Sequence, residues 1–512
     1  MDEFGILSGA TYLIPKFWQN YLTSVFYIFA LMLIPIPAGV IIVQEAVISL
    51  LAAHVLCLAF EHAESDDGIV DNSSRATRRS VKNDAKKQEE SEKKEEGKNA
   101  GKLSKSMLLL LIPLVMLPVL DSNAYPMRMN IWAFLELTLL SKCYFLAMDL
   151  KKGRFKENTP NNASQVSKSL TALKTELSDN FSTTDVLICG KLRKNLVSLC
   201  GLAAVVTVWR TEAVYYLILF PILLFIIRCY EKMGRKESEE ETRIKVGKYI
   251  AIYLCITIVL FAPQKVGEKF ESGDQYELTG MVLPIVPLVK EADRVSSDKD
   301  KELLATVDRV LNVELILEKE KEGKNGINMF WGEPEFQRDY SADDFAAFRS
   351  AYYSLVIKYP AVFLKERFQT FCESHDLLMD TTKLHTDMDN PNHAAFAQYP
   401  LSAPMSDTIR SKVICLLELR SQSSYDKKLL LADPVYSATI PILVLAALLA
   451  AALIKKKWMG LAVTVCSLIK VPLVFLTAPS RLFMYYYPVY LVGYFALFYV
   501  LSLLLTAGAE KR

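Results

Sequence analysis

Apolar runs of 15–20 residues recur along the chain at 41–60, 107–120, 130–149, 195–209, 213–230, 249–263, 436–454, 458–476 and 483–506. Each is long enough, or nearly so, for a helix crossing a hydrocarbon layer, which takes roughly 20 residues. A tenth run, 24–37, is interrupted by Pro35 and Pro37 and reads as an interfacial or re-entrant segment. Charged stretches separate the runs. The pattern predicts an α-helical integral membrane protein, a multi-pass bundle of about nine transmembrane helices, and leaves little room for a soluble helical bundle.

Basic residues near the membrane ends set the expected orientation. Lys455, Lys456 and Lys457 mark one cytoplasmic turn, and Arg228, Lys232, Arg235, Lys236, Arg243, Lys245 and Lys248 mark another. Lys151, Lys152, Arg154 and Lys156 open a third, which Lys191, Arg193 and Lys194 close. The segments 121–129, 210–212, 264–435 and 477–482 then fall on the outer face. Nine crossings end inside if the chain starts outside and 24–37 does not cross. The expected order is 1–60 as an outer loop, juxtamembrane segment and first helix, then 61–105 as a charged cytoplasmic loop. Helices over 106–263, an extracytoplasmic domain over 264–435 and the last helices over 436–512 follow.

Composition sharpens this. Hydrophobic residues make up 52% of 512, yet 23% are charged, so very apolar and very charged segments must alternate. The stretch 61–105 holds 11 acidic and 11 basic residues and reads as a disordered spacer. A net charge of +2 gives no bulk argument for a nucleic-acid partner. With 20 Gly, 21 Pro and nine scattered Cys, a collagenous or disulfide-stapled chain is excluded.

The outer segment 264–435 reads as mostly helical. Ser341 is an expected N-cap with Asp343 and Asp344 in the positive first turn. Ala346, Phe348, Ala351, Tyr352, Leu355 and Val356 follow at helical spacing. Pro360 ends that helix and opens the next, whose stripe is Phe363, Leu364, Arg367, Phe368 and Phe371. His375, His385 and His393 lie near Asp376, Asp380, Asp387 and Asp389, but the spacing matches no standard zinc pattern and favours a solvated loop. Cys372 and Cys415 offer a weak disulfide candidate.

Ionisable groups at the outer ends of membrane helices are costly and therefore functional candidates. Four clusters qualify: Asp2-Glu3-Phe4-Gly5; Asp121-Ser122-Asn123 with Tyr125, Pro126 and Arg128; Arg210-Thr211-Glu212; and Ser480-Arg481 with Tyr485, Tyr486, Tyr487 and Pro488. Carboxylates facing arginines at one membrane face suit an anionic, hydroxyl-rich substrate. A carboxylate can deprotonate a sugar hydroxyl, and an arginine can hold a phosphate through two parallel hydrogen bonds. The plainer alternatives are an Arg210–Glu212 pair closed on itself, an aromatic belt at Tyr485–Tyr487 and a frayed terminus at Asp2 and Glu3.

These residues carry a resemblance. Asp2-Glu3-Phe4-Gly5 with Ala10, the proline-bearing 24–37, Trp209-Arg210-Thr211-Glu212-Ala213, Tyr359-Pro360 through Arg367, and Arg481 with Tyr485–Pro488 resemble the clan C (GT-C) membrane glycosyltransferases of bacteria. The likeness is to a multi-pass branch found in Gram-positive anaerobes. It implies a GT-C-like bundle in the cell membrane that moves a sugar from a polyprenyl-phosphate donor to an extracytoplasmic glycan or lipid acceptor of the cell envelope. Asp2, with Glu3 beside it, would be the catalytic base. Arg210 and Arg481 would neutralise the lipid phosphate, and the outer domain would cap the site. Asp121, Arg128, Glu212, Tyr486 and Tyr487 complete the substrate-binding set that goes with this reading. Membrane lipids are the other expected partners and nucleic acid is not; a divalent cation, Mg or Mn, is optional in the clan, and no residue is assigned to one. Met1 stands where the family has a membrane helix before the acidic pair, so the resemblance also implies that a first helix is missing.

Two other classes fit the helix pattern. A polysaccharide polymerase or ligase also has many spans and loop arginines, without needing an outer acidic pair. A transporter or lipid flippase would carry broken helices and charges at membrane depth.

Overall fold

The structure, a computed structural model, describes residues 10–13, 15–17, 21–78, 105–123, 128–152, 183–234, 244–267, 274–374 and 437–509. It is a helical membrane protein. The N-terminal part gives α1 (Tyr21–Leu33), α2 (Pro37–Arg78), a 3₁₀ turn (Lys105–Leu111), α3 (Ile112–Val115) and α4 (Leu117–Asn123). Next come α5 (Arg128–Lys152), α6 (Thr183–Trp209), a second 3₁₀ turn (Thr211–Tyr215), α7 (Tyr216–Gly234) and α8 (Val246–Gly267). Residues 274–374 fold as α9 (Asp274–Val295), α10 (Asp298–Val307), α11 (Val313–Lys321), α12 (Gly326–Gly332), α13 (Ala342–Lys358) and α14 (Pro360–Ser374). The chain closes with α15 (Thr439–Ile454), α16 (Trp458–Leu468), α17 (Lys470–Thr477), a 3₁₀ turn (Phe483–Tyr485) and α18 (Tyr487–Ala509).

Seven stretches among the described residues are long and apolar enough to cross a membrane: Ala38–His62, Arg128–Lys152, Leu192–Trp209, Thr211–Gly234, Val246–Gly267, Trp458–Thr477 and Tyr487–Thr506. Two of the nine expected runs fall short of that length. In 107–120 the chain breaks at Met116, which is extended between α3 and α4. Pro113 and Pro118 sit in the first turns of those helices, where a missing N–H is tolerated and a continuous helix is not. In 436–454 the helix has 16 residues, about 24 Å at 1.5 Å per residue. Conversely α2 continues to Arg78, well beyond the expected start of the charged loop at 61. Once a helix is nucleated, each further residue adds a hydrogen bond at little cost. The span Trp458–Thr477 is two helices with a break at Ile469. Pro472 explains it, because its nitrogen has no hydrogen for the carbonyl four residues earlier.

Helix α5 is the axis of the bundle. Its most apolar window is 83% buried, against 17% for that of α8, so α5 is enclosed by protein while α8 lies at the edge of the bundle. It packs on α2, α6, α7, α16 and α18. Trp132 on α5 donates its indole N–H to the Val206 carbonyl of α6 at 3.0 Å. Close approach elsewhere needs glycine: a Cβ at Gly493 on α18 would lie 2.6 Å from Pro441 of α15.

Helices α9 to α14 build a separate core in which Leu278, Ile285 and Val289 of α9 pack with Phe336, Phe345, Phe348 and Leu355. Three capping boxes fix its helix starts, at Ser297–Asp300, Asn325–Asn328 and Ser341–Asp344. The Ser341 cap and the Pro360 start are as the sequence predicts. The buried face of α13 is shifted by one position at its start, with Phe345 inside and Ala346 exposed. The α14 stripe is also rearranged. Leu364 and Phe368 are exposed, whereas Arg367 is 1% exposed.

Candidate functional site

Helix α6 ends at Trp209, and Arg210 is extended (φ −135°, ψ 137°) before the 3₁₀ turn that starts α7. This corner leaves almost no loop, so two residues two apart can face each other. Arg210 Nε donates to Glu212 Oε2 at 2.9 Å and Nη2 donates to Oε1 at 2.6 Å. The fork-to-fork geometry is the strong form of a charge-assisted pair. Arg210 is buried while the Glu212 carboxylate is partly accessible. Arg128, at the head of α5, adds its positive charge to the field at Glu212. The Trp209 indole N–H donates to the Arg128 carbonyl at 3.0 Å, which ties the two helix ends together.

Beneath this corner, inside the bundle, Glu136 of α5 pairs with Lys470 at the start of α17. Both are almost completely buried. Tyr216 donates its hydroxyl to Glu136 Oε1 at 2.6 Å, and the Lys470 ammonium lies 4.0 Å from the Trp132 ring centroid. The carboxylate thus links the chain just after Glu212 to the broken span at Ile469.

Arg481 reaches in the other direction. Its Nη1 donates to Glu373 Oε2 at 2.6 Å and its Nη2 to Glu366 Oε1 at 2.8 Å, both on α14. Burial alone would lower the Arg481 pKa, but the two carboxylates outweigh it and hold it above its ordinary value. Burial raises Glu366 above the usual carboxylate range, and the attraction of Arg481 does not fully offset that. Nearby, Arg367 donates to the Ala478 carbonyl at 2.7 Å and the Gly280 carbonyl at 2.9 Å, so α14 is pinned to α9 and to the end of α17.

These contacts frame a cavity of about 600 Å³ where α9, α13 and α14 meet the bundle. Thr211 and Glu212 line it from the corner, Glu277 from α9, Tyr352 from α13 and Tyr485 from the last 3₁₀ turn. Carboxylates, hydroxyls and aromatic faces share this wall with apolar side chains, a lining that can take a ligand with both polar and apolar parts.

Of the sequence-derived candidates, the structure brings Arg128, Arg210 and Glu212 together. It places Arg481 against Glu366 and Glu373 of α14. Tyr486 and Tyr487 are buried and do not line the cavity: Phe371 meets Tyr486 edge-on at 5.5 Å, and Tyr487 donates its hydroxyl to Asn123 Oδ1 at 3.1 Å. They are packing residues; Tyr485 is the member of that run on the cavity wall. Asp121 lies in α4. Asp2 and Glu3 lie outside the described residues, as do His375, His385, His393 and Cys415. Phe17 and Tyr21 are held at the C-terminal end of α8, where the Gln264 amide donates to the Phe17 carbonyl at 2.5 Å and accepts from the Tyr21 N–H at 2.8 Å. Among the described residues no three His, Cys, Asp or Glu converge to hold a metal ion.

Sequence reasoning missed Glu136, Lys470, Glu366, Glu373 and Glu277. A single Glu or Lys inside a 20-residue apolar run is itself a signal, because charge at that depth is rarely retained without a partner. No protein family matches the chain, and no characterised protein or solved structure is similar to it.

Proposed function

We propose that the chain is a membrane glycosyltransferase with a GT-C-like architecture, moving a sugar from a polyprenyl-phosphate donor to an extracytoplasmic cell-envelope acceptor. The observation that carries this reading is the cavity where α9, α13 and α14 meet the bundle, with the Glu212 carboxylate on its wall and Arg210 and Arg128 behind it. In this reading a carboxylate takes the acceptor hydroxyl proton as the new glycosidic C–O bond forms. The bond from the anomeric carbon to the phosphate oxygen breaks, and the lipid phosphate leaves with the bonding pair. Asp2, with Glu3, remains the base implied by the resemblance, and Glu212 is the carboxylate that the cavity itself offers. Arg210 and Arg128 are the cations close enough to that wall to offset the leaving charge. Arg481, paired through its two terminal nitrogens with Glu373 and Glu366, holds α14 beside the cavity.

The test is transfer of labelled sugar from a polyprenyl-phosphate donor by the full chain in vesicles, with Glu212→Gln and Asp2→Asn compared with the parent. Loss of transfer of about a hundredfold or more in one variant, with helicity retained, identifies the base. Undiminished transfer in both removes these two carboxylates from the chemistry.

A second reading has its own support. The Glu136–Lys470 pair at membrane depth and the broken span at Ile469 are features of transporters and flippases. Movement of a labelled lipid-linked sugar across the vesicle bilayer, without transfer to an acceptor, would favour that reading.

A further inference from the structure

A second cavity lies on the opposite half of the bundle, away from the Arg210 corner. It holds about 270 Å³ between α5, α15, α16 and α18. Leu140, Tyr144 and Phe145 of α5, Leu448 of α15 and Tyr499 of α18 form its apolar walls. Thr464, one of its few polar residues, spends its hydroxyl on the Gly460 and Leu461 carbonyls at 2.9 Å each. At one end stand Lys455 and Lys457, the charged groups of the lining among the described residues.

Three features together point to one kind of occupant. The first is depth. Along α5 the lining runs from Leu137 to Phe145, and along α18 from Val492 to Leu503. At 1.5 Å per residue these are about 12 and 16 Å, matching one leaflet of a hydrocarbon core of roughly 30 Å. The second is charge: two lysines sit where a lipid phosphate would lie if an acyl chain filled the slot. The third is the turn itself. Lys457 N–H bonds the Ala452 carbonyl at 2.8 Å and Lys456 N–H bonds Leu453 at 3.1 Å, a Schellman closure of α15. Its left-handed position is Lys456, with φ +51°, where glycine is the unstrained choice. The closure sets Lys455 and Lys457 on either side of that residue, both on the groove lining.

We propose that this groove binds an anionic phospholipid, its acyl chain between α5, α15 and α18 and its phosphate on Lys455 and Lys457. The inference goes beyond the transferase reading and does not depend on it.

The full chain reconstituted in mixed vesicles, probed with spin-labelled phosphatidylglycerol and phosphatidylcholine, reads this directly. The expected result is about a fivefold preference for phosphatidylglycerol among protein-bound lipid, the factor one juxtamembrane lysine contributes. Lys455→Gln with Lys457→Gln should remove the preference. Gly460→Leu, which fills the slot, should lower the bound fraction of both lipids. Raising the salt on the unaltered protein should weaken the preference and needs no variant to fold. Equal binding of the two lipids, a preference unaffected by the lysine changes or by salt, or a dimer that closes the groove to lipid would each overturn the proposal.

Discussion

Glu136 and Lys470 stand 334 positions apart in sequence and share one buried ion pair at the centre of the helical bundle. The Tyr216 hydroxyl and the Trp132 ring complete its shell. Burying two charges is costly, so such a pair adds little net stability, but removing one member strands the other. Glu136→Gln or Lys470→Met should each cost about 3–5 kcal/mol, and the double variant should recover most of it. Thermal unfolding in detergent, analysed as a double-mutant cycle, measures this; additive losses would show that the two do not act as a unit.

Arg481 holds two carboxylates of α14 that would otherwise repel. Arg481→Ala should therefore loosen α14, seen as faster amide exchange over 360–374. Glu366 is already raised above its ordinary value, so its folded form holds a proton more tightly than its unfolded form. Such a group favours folding at low pH and loses that contribution as pH rises through the folded value. Without Arg481 the raise grows, so the defect should be largest near neutral pH and shrink towards acid.

In the core of α9 to α14 Asp300 behaves in the opposite sense. Burial would raise its pKa, but hydrogen bonds from Lys358, Ser297 and Tyr359 outweigh it and hold it at about 2. A lowered carboxyl stabilises the fold above its unfolded value and loses that contribution as pH falls through the folded one. Melting of the parent should fall between about pH 4 and pH 2, and Asp300→Asn should start lower and flatten in that window. Parallel curves would remove Asp300 from the acid transition.

Lys456 occupies a left-handed backbone position with a side chain that gains nothing from it in the fold. Lys456→Gly should raise stability by roughly 0.5–1 kcal/mol. The readout is the melting temperature in neutral detergent, where lipid headgroups do not contribute; a lowered value would show that the turn depends on the lysine.

What the sequence makes legible here is what depends on neighbours in the chain. The apolar runs mark the helices, Ser341 and Pro360 mark boundaries, and the short Arg210–Glu212 spacing already allows the pair that forms. What stays hidden depends on partners far away. Glu366 and Glu373 look like ordinary exposed acids until Arg481 arrives from more than a hundred positions later. Arg367 sits in an apolar stripe with its two terminal guanidinium nitrogens on the Ala478 and Gly280 carbonyls, something no periodicity reports. The tyrosine run divides for the same reason: one ring faces the cavity, while the next two are fixed by Phe371 and Asn123.

Helix α15 is about 24 Å long beside neighbours of 20 or more residues. In a bilayer whose apolar core is about 30 Å, that leaves a mismatch of several ångströms along one side of the protein. If α15 crosses, the surrounding membrane thins there or the lysine turn sinks and draws headgroups with it. Either way the protein imposes a local bilayer thickness, and shorter-chain lipids would relieve the strain on that side alone.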